Sequence, residues 1–266
     1  CANVMPTTEL KFTYYVEQPF DVVINEIMAD PEPVVELPDY EYIEIYNTSN
    51  FDIGLIGWTI TAGSTVREIP STIIKADEYI VLCNEDAAAE LEEFGKTLAV
   101  AGFPSLTNSG QTLILKNRDD KIISSVTYSD QWYKNEYKAD GGWSLEQIDP
   151  FNPCGEEKNW EASKDENGGT PGQINSIDSD NPDFESPDLL RTAVTDENTV
   201  QLFFSESLHP ETAIIKENYQ VDDGFDNPDS VEIITPENKS DLLSFTQPFK
   251  SNTIYEVEII DNITDC

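Results

Sequence analysis

The stretch Val22-Val23-Ile24-Asn25-Glu26-Ile27-Met28-Ala29-Asp30-Pro31, followed after an insertion by Glu41-Tyr42-Ile43-Glu44-Ile45-Tyr46-Asn47, decides how this chain folds. Both runs are short, β-branched and aromatic, and Asp-Pro and Pro-Asp steps punctuate the segment between them, so both read as strands. In the second run Glu41, Ile43, Ile45 and Asn47 share one face and Tyr42, Glu44 and Tyr46 the other. Neither face is purely apolar. Glu26 and Glu44 therefore need partners supplied by the fold or by another molecule, because a carboxylate among apolar neighbours is costly unless hydrogen-bonded.

Outward from these strands, period-2 alternation continues along the chain. Leu10–Val16, Gly57–Thr61, Val66–Ile69, Thr72–Lys75, Glu78–Cys83, Thr112–Lys116, Ile122–Tyr128 and Gly141–Glu146 read as strands separated by Gly, Asn and Asp turns. Asp86–Phe94 is the one helical run, with Ala87, Ala88, Leu91 and Phe94 on one face, an acidic first turn and Gly95 as its stop. Residues 149–175 read as loop anchored by Trp160 and leaving through Gly168-Gly169-Thr170-Pro171-Gly172. Residues 177–187 have the Asp, Ser, Asn and Pro composition of a linker. Strands then recur at Leu189–Val194, Thr199–Ser205, Asn218–Val221, Val231–Thr235, Leu242–Thr246 and Thr253–Ile260, the rhythm of a β-sandwich. The expectation is an all-β chain of two sandwiches in tandem with one short helix in the first. Its parts are an N-terminal segment 1–19, a first sandwich 20–176, a linker 177–187 and a second sandwich 188–266.

The chain has 266 residues with 15 Lys plus Arg against 52 Asp plus Glu, a net charge of −37. Such a surface repels nucleic-acid phosphate and anionic lipid. A hydrophobic fraction of 38% is too rich for disorder. No apolar run approaches the length of a membrane-spanning helix. Cys1, Cys83, Cys154 and Cys266 leave no Cys-x-x-Cys pair; Cys83 with Cys154 is the candidate disulfide, two separate buried thiols the alternative. Residue 1 is Cys, which fits either a processed end or a lipidated one.

The first half resembles the bacterial lamin tail domain. The residues that carry this are Ile24–Pro31, Glu41–Asn47, Gly57-Trp58-Thr59-Ile60, Leu106-Thr107-Asn108-Ser109-Gly110, Gly141–Glu146, Asn159-Trp160, Gly168–Gly172 and Asn175-Ser176. The resemblance covers about residues 20–176 and implies an immunoglobulin-like β-sandwich. It departs at Gln111, where the family pattern suggests an acidic residue, which argues against a metal ligand at that turn. Residues 188–266 resemble the immunoglobulin-like modules that accompany lamin tail domains in bacterial surface proteins, through Phe203-Phe204-Ser205-Glu206, Asn218-Tyr219 and Ile263-Thr264-Asp265-Cys266. By that resemblance Leu10–Val16 is expected to be the last strand of a preceding module, and the final module to lack its closing strand. The chain would then be a slice of a longer array, with an open sheet edge that seeks a partner strand; the alternative is that Leu10–Val16 joins the first sandwich.

Candidate chemistry is sparse. Glu26, Glu41 and Glu44 could supply the carboxylate pair of a glycosidase, yet each also serves as a hydrogen-bonded strand group. His209, the sole histidine, reads as a turn residue rather than a triad base. Oxygen-rich clusters at Asp178, Asp180 and Asp183, and at Asp222, Asp223 and Asp226, are candidate calcium sites, although neither matches an EF-hand loop. Trp132 and Tyr133, in Ser129–Asn135, read as an exposed loop able to bind a glycan, while Trp58, Trp143 and Trp160 read as core anchors. The expected function is a non-enzymatic scaffold or adhesion module, extracellular or on the surface of a Gram-negative bacterium. It would contact proteins, cell-surface glycans or neighbouring modules by strand pairing. The alternative is a substrate- or glycan-binding targeting module attached to a hydrolase.

Overall fold

A computed structural model describes residues 14–260 and 263–265. Its strands are β1 (Val22–Met28), β2 (Tyr42–Asn47), β3 (Ile53–Gly54), β4 (Thr59–Ala62), β5 (Thr65–Glu68), β6 (Ile73–Ile74), β7 (Tyr79–Cys83), β8 (Thr97–Ala99), β9 (Gly110–Lys116), β10 (Ile122–Ser129), β11 (Leu145–Gln147), β12 (Trp160–Ala162), β13 (Leu189–Asp196), β14 (Thr199–Phe204), β15 (Tyr219–Val221), β16 (Ser230–Ile233), β17 (Ser240–Ser244) and β18 (Val257–Ile259). Three single helical turns interrupt them: α1 (Ala88–Leu91), α2 (Glu136–Ala139) and α3 (Pro210–Ala213). The architecture is all-β and immunoglobulin-like.

The first core lies between a six-stranded sheet, ordered β12-β11-β1-β2-β7-β8, and a four-stranded sheet, ordered β10-β9-β4-β5. Ile24, Ile27, Ile43, Ile45, Trp58, Ile60, Leu82, Leu115, Leu145 and Trp160 fill the space between the sheets. A register shift between Ile24 and Glu26 makes a bulge at Asn25. The bulge lets Ile24 and Ile27, which strict alternation would place on opposite faces, enter the same core, and it sends Glu26 to the other face. On that outer face a smaller cluster of Met28, Leu37, Tyr42, Val81, Cys83, Ala87 and Leu91 packs beneath α1. The second core, built on Val200, Leu202, Phe204, Leu208, Tyr219, Leu243 and Phe245, lies by a sheet ordered β13-β14-β17-β16 and a separate pair β15-β18.

Several elements differ from expectation. The helix over 86–94 contracts to α1, where Ala87 offers no side-chain cap; Asn84 Oδ1 instead accepts from Ala87 N at 2.8 Å. The expected loop 149–175 contains a 3-10 turn at Glu156–Asn159 and the strand β12, which closes the edge of the six-stranded sheet against β11. β8 was not anticipated; it pairs parallel to β7 in an otherwise antiparallel sheet. Of the expected strand Leu10–Val16, residues 10–13 lie outside the described residues and Tyr14–Val16 form no strand.

The proposed Cys83–Cys154 disulfide is not formed. Cys83 is a free thiol with no exposed surface, enclosed by the apolar cluster under α1. Cys154, in the turn before Glu156–Asn159, is disulfide-bonded.

Candidate functional site

Three glutamates converge on the outer face of the six-stranded sheet. β1 supplies Glu26, β2 supplies Glu44 opposite it, and β11 supplies Glu146 opposite Glu26 on the other side. All three have no exposed surface. What covers them is the segment that follows β12. Gly169 crosses so close to Glu26 that a Cβ there would stand 2.6 Å from Glu26 Oε1, so only glycine allows the chain to pass.

The covering strap spends the carboxylates on hydrogen bonds. Glu26 Oε1 accepts from Thr170 N at 2.9 Å and from Tyr42 Oη at 2.7 Å. Glu44 accepts from Gly172 N and, at 3.0 Å, from Asn25 Nδ2. Glu146 accepts from Thr170 Oγ1 at 2.9 Å, Ser176 Oγ at 2.8 Å and Ile177 N at 3.2 Å. Asn175 completes the seat: its Nδ2 donates to Asn25 O at 3.1 Å and Gln147 O at 2.7 Å, and its Oδ1 accepts from Asn25 Nδ2 at 2.9 Å. Among the described residues no Lys or Arg forms an ion pair with Glu26, Glu44 or Glu146.

Burial pushes Glu26 up to about 7, and the charge of Glu146 adds to the rise. Burial also raises Glu44 well above the usual carboxylate range, with Glu26 adding to it. Glu26 Oε2 and Ser144 Oγ are both buried without a hydrogen bond, although the Ser144 hydroxyl acts on Glu26. Glu41 stands apart, half-buried, its Oε1 accepting from Leu106 N at 3.1 Å. Perturbed carboxylates of this kind often mark catalysis. Here all three lie beneath a backbone strap with no exposed surface.

Trp132 and Tyr133 are not an exposed loop. They lie in a 3-10 turn, Asp130–Tyr133, capped by Ser129 Oγ, and both are buried in the first core, with the Trp132 ring 6.2 Å from that of Trp160. Trp132 nevertheless lines a cleft of about 280 Å³ between the two cores, with Phe20, Trp160, Pro236, Asn238 and Lys239. At this cleft Lys239 Nζ lies 2.7 and 2.8 Å from the two oxygens of Glu156, Ser125 Oγ donates to Pro236 O at 3.0 Å, and Asn238 Oδ1 is a buried acceptor with no hydrogen bond. His209 caps α3, its Nδ1 accepting from Glu211 N at 3.3 Å.

The calcium grouping of Asp178, Asp180 and Asp183 is not assembled. All three are exposed, Asp178 in a turn closed by Asn175 O, and only Asp183 meets other carboxylates, those of Glu206 and Asp265, whose oxygens lie within 4.8 Å of one another. The linker runs on without strand or helix to Leu189. Asp222 is used locally, its Oδ1 accepting from Glu256 N at 2.9 Å.

Residues 16–130 match the family model of the lamin tail domain. No curated protein matches the chain. The lamin tail match ends after β10, yet β11 and β12 complete the six-stranded sheet and residues 169–177 cover its outer face. Glu146 and the strap were the residues that sequence reasoning missed as a site. The signal was three acids inside apolar strands, together with a small-residue run otherwise read only as an exit turn.

Proposed function

We propose that this chain is a non-enzymatic scaffold or adhesion module of a secreted or surface-displayed bacterial protein, built with further modules into a longer molecule. The observation that carries this is the strapped glutamate triad: its three buried carboxylates are taken up by hydrogen bonds that hold the strap to the sheet. The lamin tail match supports a module of immunoglobulin-like type. The disulfide at Cys154 suits an oxidising compartment, and the net charge of −37 suits an exterior that keeps copies apart from nucleic acid and anionic lipid. A Gram-negative cell surface is the setting this reading takes. The test is a panel of polysaccharide, peptide and phosphoester substrates offered to the native chain and to Glu44→Gln. No turnover above the blank is expected from either, and hydrolysis abolished by Glu44→Gln would overturn the reading.

A second reading, a glycan-binding targeting module attached to a hydrolase, is favoured by the cleft between the cores. There Trp132 lines the cleft beside Asn238, whose Oδ1 has no hydrogen bond, and the Lys239–Glu156 ion pair. Its test is glycan titration followed by tryptophan fluorescence. Saturable quenching that Asn238→Ala and Lys239→Ala both abolish would establish it over a plain spacer.

A further inference from the structure

The second sandwich carries an ionisable group in its core. Asp241 lies on β17, opposite Leu202 of β14 and Ile233 of β16, and has no exposed surface. Leu243, two residues on, shares its face and fills the core with Val200, Leu202 and Tyr219. Among the described residues no Lys, Arg or His forms an ion pair with Asp241. Its Oδ2 lies 2.5 Å from the Tyr219 hydroxyl, and its Oδ1 is buried with no hydrogen bond. Tyr219 Oη also lies 2.7 Å from Ala213 O, at the end of α3, in a residue with no exposed surface. A carbonyl only accepts, and the hydroxyl has one proton to give. Burial and the charge of Asp241 hold Tyr219 far above its ordinary value, so that proton stays on. Two acceptors therefore compete for one donor. A proton on Asp241 resolves the conflict: Oδ2 donates to Tyr219 Oη, Tyr219 donates to Ala213 O, and each short contact has its hydrogen.

We infer that Asp241 is a protonation switch that decides how firmly α3 is seated on the second sandwich. Neutral Asp241 completes the chain from Asp241 through Tyr219 to Ala213, which ties β17 by way of β15 to α3. Charged Asp241 takes the Tyr219 proton for itself and leaves Ala213 O without a donor. A buried carbonyl and a buried carboxylate oxygen, both unserved, are costly, so the charged form favours a movement of α3 that lets water reach them. The turn is placed to pass such a movement on. At its start His209 N donates to Thr264 O at 2.8 Å, Thr264 N donates to Thr212 Oγ1 at 3.2 Å, and the His209 ring lies 6.5 Å from that of Phe20 in the first sandwich. Loosening α3 therefore frees residues 263–265 and one contact between the sandwiches.

The charged groups around Asp241 lie elsewhere. β14 carries none. Glu232 of β16 stands opposite Leu242, on the other face of the sheet, and is exposed, as are Glu211 of α3 and Glu258 of β18. Arg191 of β13 is stacked on the Phe203 ring, and Lys239, two residues before Asp241, is taken by Glu156. Tyr219 is the one ionisable neighbour that acts on Asp241, and burial, against the pull of the Tyr219 hydroxyl, pushes Asp241 from its ordinary 3.8 up to about 6. A group raised on folding stabilises fully below its unfolded value, so α3 is held below 3.8 and released as pH rises through about 6. His209, the other titratable group at α3, acts with the opposite sign. Its Nδ1 accepts from Glu211 N at 3.3 Å, so a proton on the ring removes that cap at low pH.

The test is nuclear magnetic resonance of the full chain with carbon-13 in its aspartate carboxyl groups. The Asp241 carboxyl carbon, assigned through its own backbone, should titrate at least about one pH unit above an ordinary aspartate. An ordinary midpoint overturns the inference, and no variant is needed to see it. The seating of α3 is read by amide hydrogen exchange at His209 and Ala213, whose N–H groups donate to Thr264 O and His209 O. The ratio of the wild-type rate to that of Asp241→Asn should rise at least about fivefold from about pH 5 to about pH 8. The Asn amide keeps a donor toward Tyr219 Oη and does not titrate, and the ratio cancels both His209 and the intrinsic pH dependence of exchange. A ratio that stays level or falls overturns the coupling to α3. Tyr219→Phe gives a second comparison, because it removes the donor to Ala213 O at every pH. Its exchange at Ala213 should exceed that of wild type at about pH 5, where Asp241 is neutral, and equal protection of the two chains there would also overturn the inference.

Discussion

Glu26 and Glu44 stand directly opposite each other on adjacent antiparallel strands, both without exposed surface. Like charges in this cross-strand position repel, and removal from water strengthens the effect. The sheet tolerates the arrangement because a strap from residues 169–177 brings backbone and side-chain donors to the carboxylates. Burial and mutual charge raise both groups above the usual carboxylate range. The triad is therefore a tie between distant parts of the chain, and its strength depends on protonation.

Stability is expected to fall as pH rises from about 4.5 to about 7. Glu26 is raised from its ordinary 4.5 to about 7, so in that interval the folded chain keeps a proton that the unfolded chain releases. The stabilisation is complete below the lower value, is lost through the window and levels off above it; for this one group it amounts to about 3 kcal/mol. Relief of the general negative charge acts in the same direction, so wild type must be compared with Glu26→Gln. The Gln variant keeps an acceptor for Thr170 N and Tyr42 and brings a donor toward Ser144. Denaturant melts from pH 5 to 8 should show a slope shallower by roughly one proton in Glu26→Gln, with stability at pH 8 at or above wild type. Equal slopes would remove Glu26 from the account.

Asn175→Ala should destabilise the first sandwich by about 2–4 kcal/mol. Its amide donates to the carbonyls of Asn25 and Gln147 and accepts from Asn25 Nδ2, so truncation orphans several buried groups together. Urea denaturation gives the value directly. A loss below about 0.5 kcal/mol, the size of an ordinary surface change, would mean that the strap is held elsewhere.

Gly172→Ala should loosen the strap without abolishing the sandwich. Gly172 has φ +78°, and a Cβ there would stand 2.5 Å from Gly95 Cα, backbone against backbone. Neither chain can yield cheaply, so the amide that serves Glu44 is drawn away. Limited proteolysis should cut the variant between residues 163 and 178 under conditions that spare wild type, with far-ultraviolet circular dichroism unchanged. Equal resistance would refute the close-contact argument.

What was legible in the sequence is what local pattern encodes. Alternation at Glu41–Asn47 put Ile43 and Ile45 on one face, which is the core face, and isolated aromatics such as Trp58 and Trp160 announced their burial. The bulge at Asn25 was not legible, because one extra residue in a strand leaves no compositional trace. Trp132 and Tyr133 were misplaced because Ser, Asp, Gln, Lys and Asn surround them; a 3-10 turn buries both rings while its polar neighbours stay outside. The site was legible only as a need. Glu26 and Glu44 demanded partners, but the backbone donors, Thr170 N and Gly172 N, come from more than a hundred positions away, beyond the reach of any local pattern.

Cys83 should behave as an inert thiol until the first sandwich unfolds. It lies on β7 opposite Tyr42, enclosed by Met28, Leu37, Ala87 and Leu91, and burial pushes it up to about 11, so little thiolate exists at neutral pH. Two independent barriers, access and ionisation, therefore oppose a thiol reagent. Modification of Cys83, followed by peptide mass mapping without reductant, should be undetectable in the native chain and should appear along the same urea transition that reports loss of tertiary structure. Cys83→Ala should weaken the fold only by the small cavity it leaves, about 1 kcal/mol. Rapid labelling of Cys83 in native conditions would show that the cluster beneath α1 opens on its own. The strap and the α1 cover would then be separate units of stability on the same sheet face.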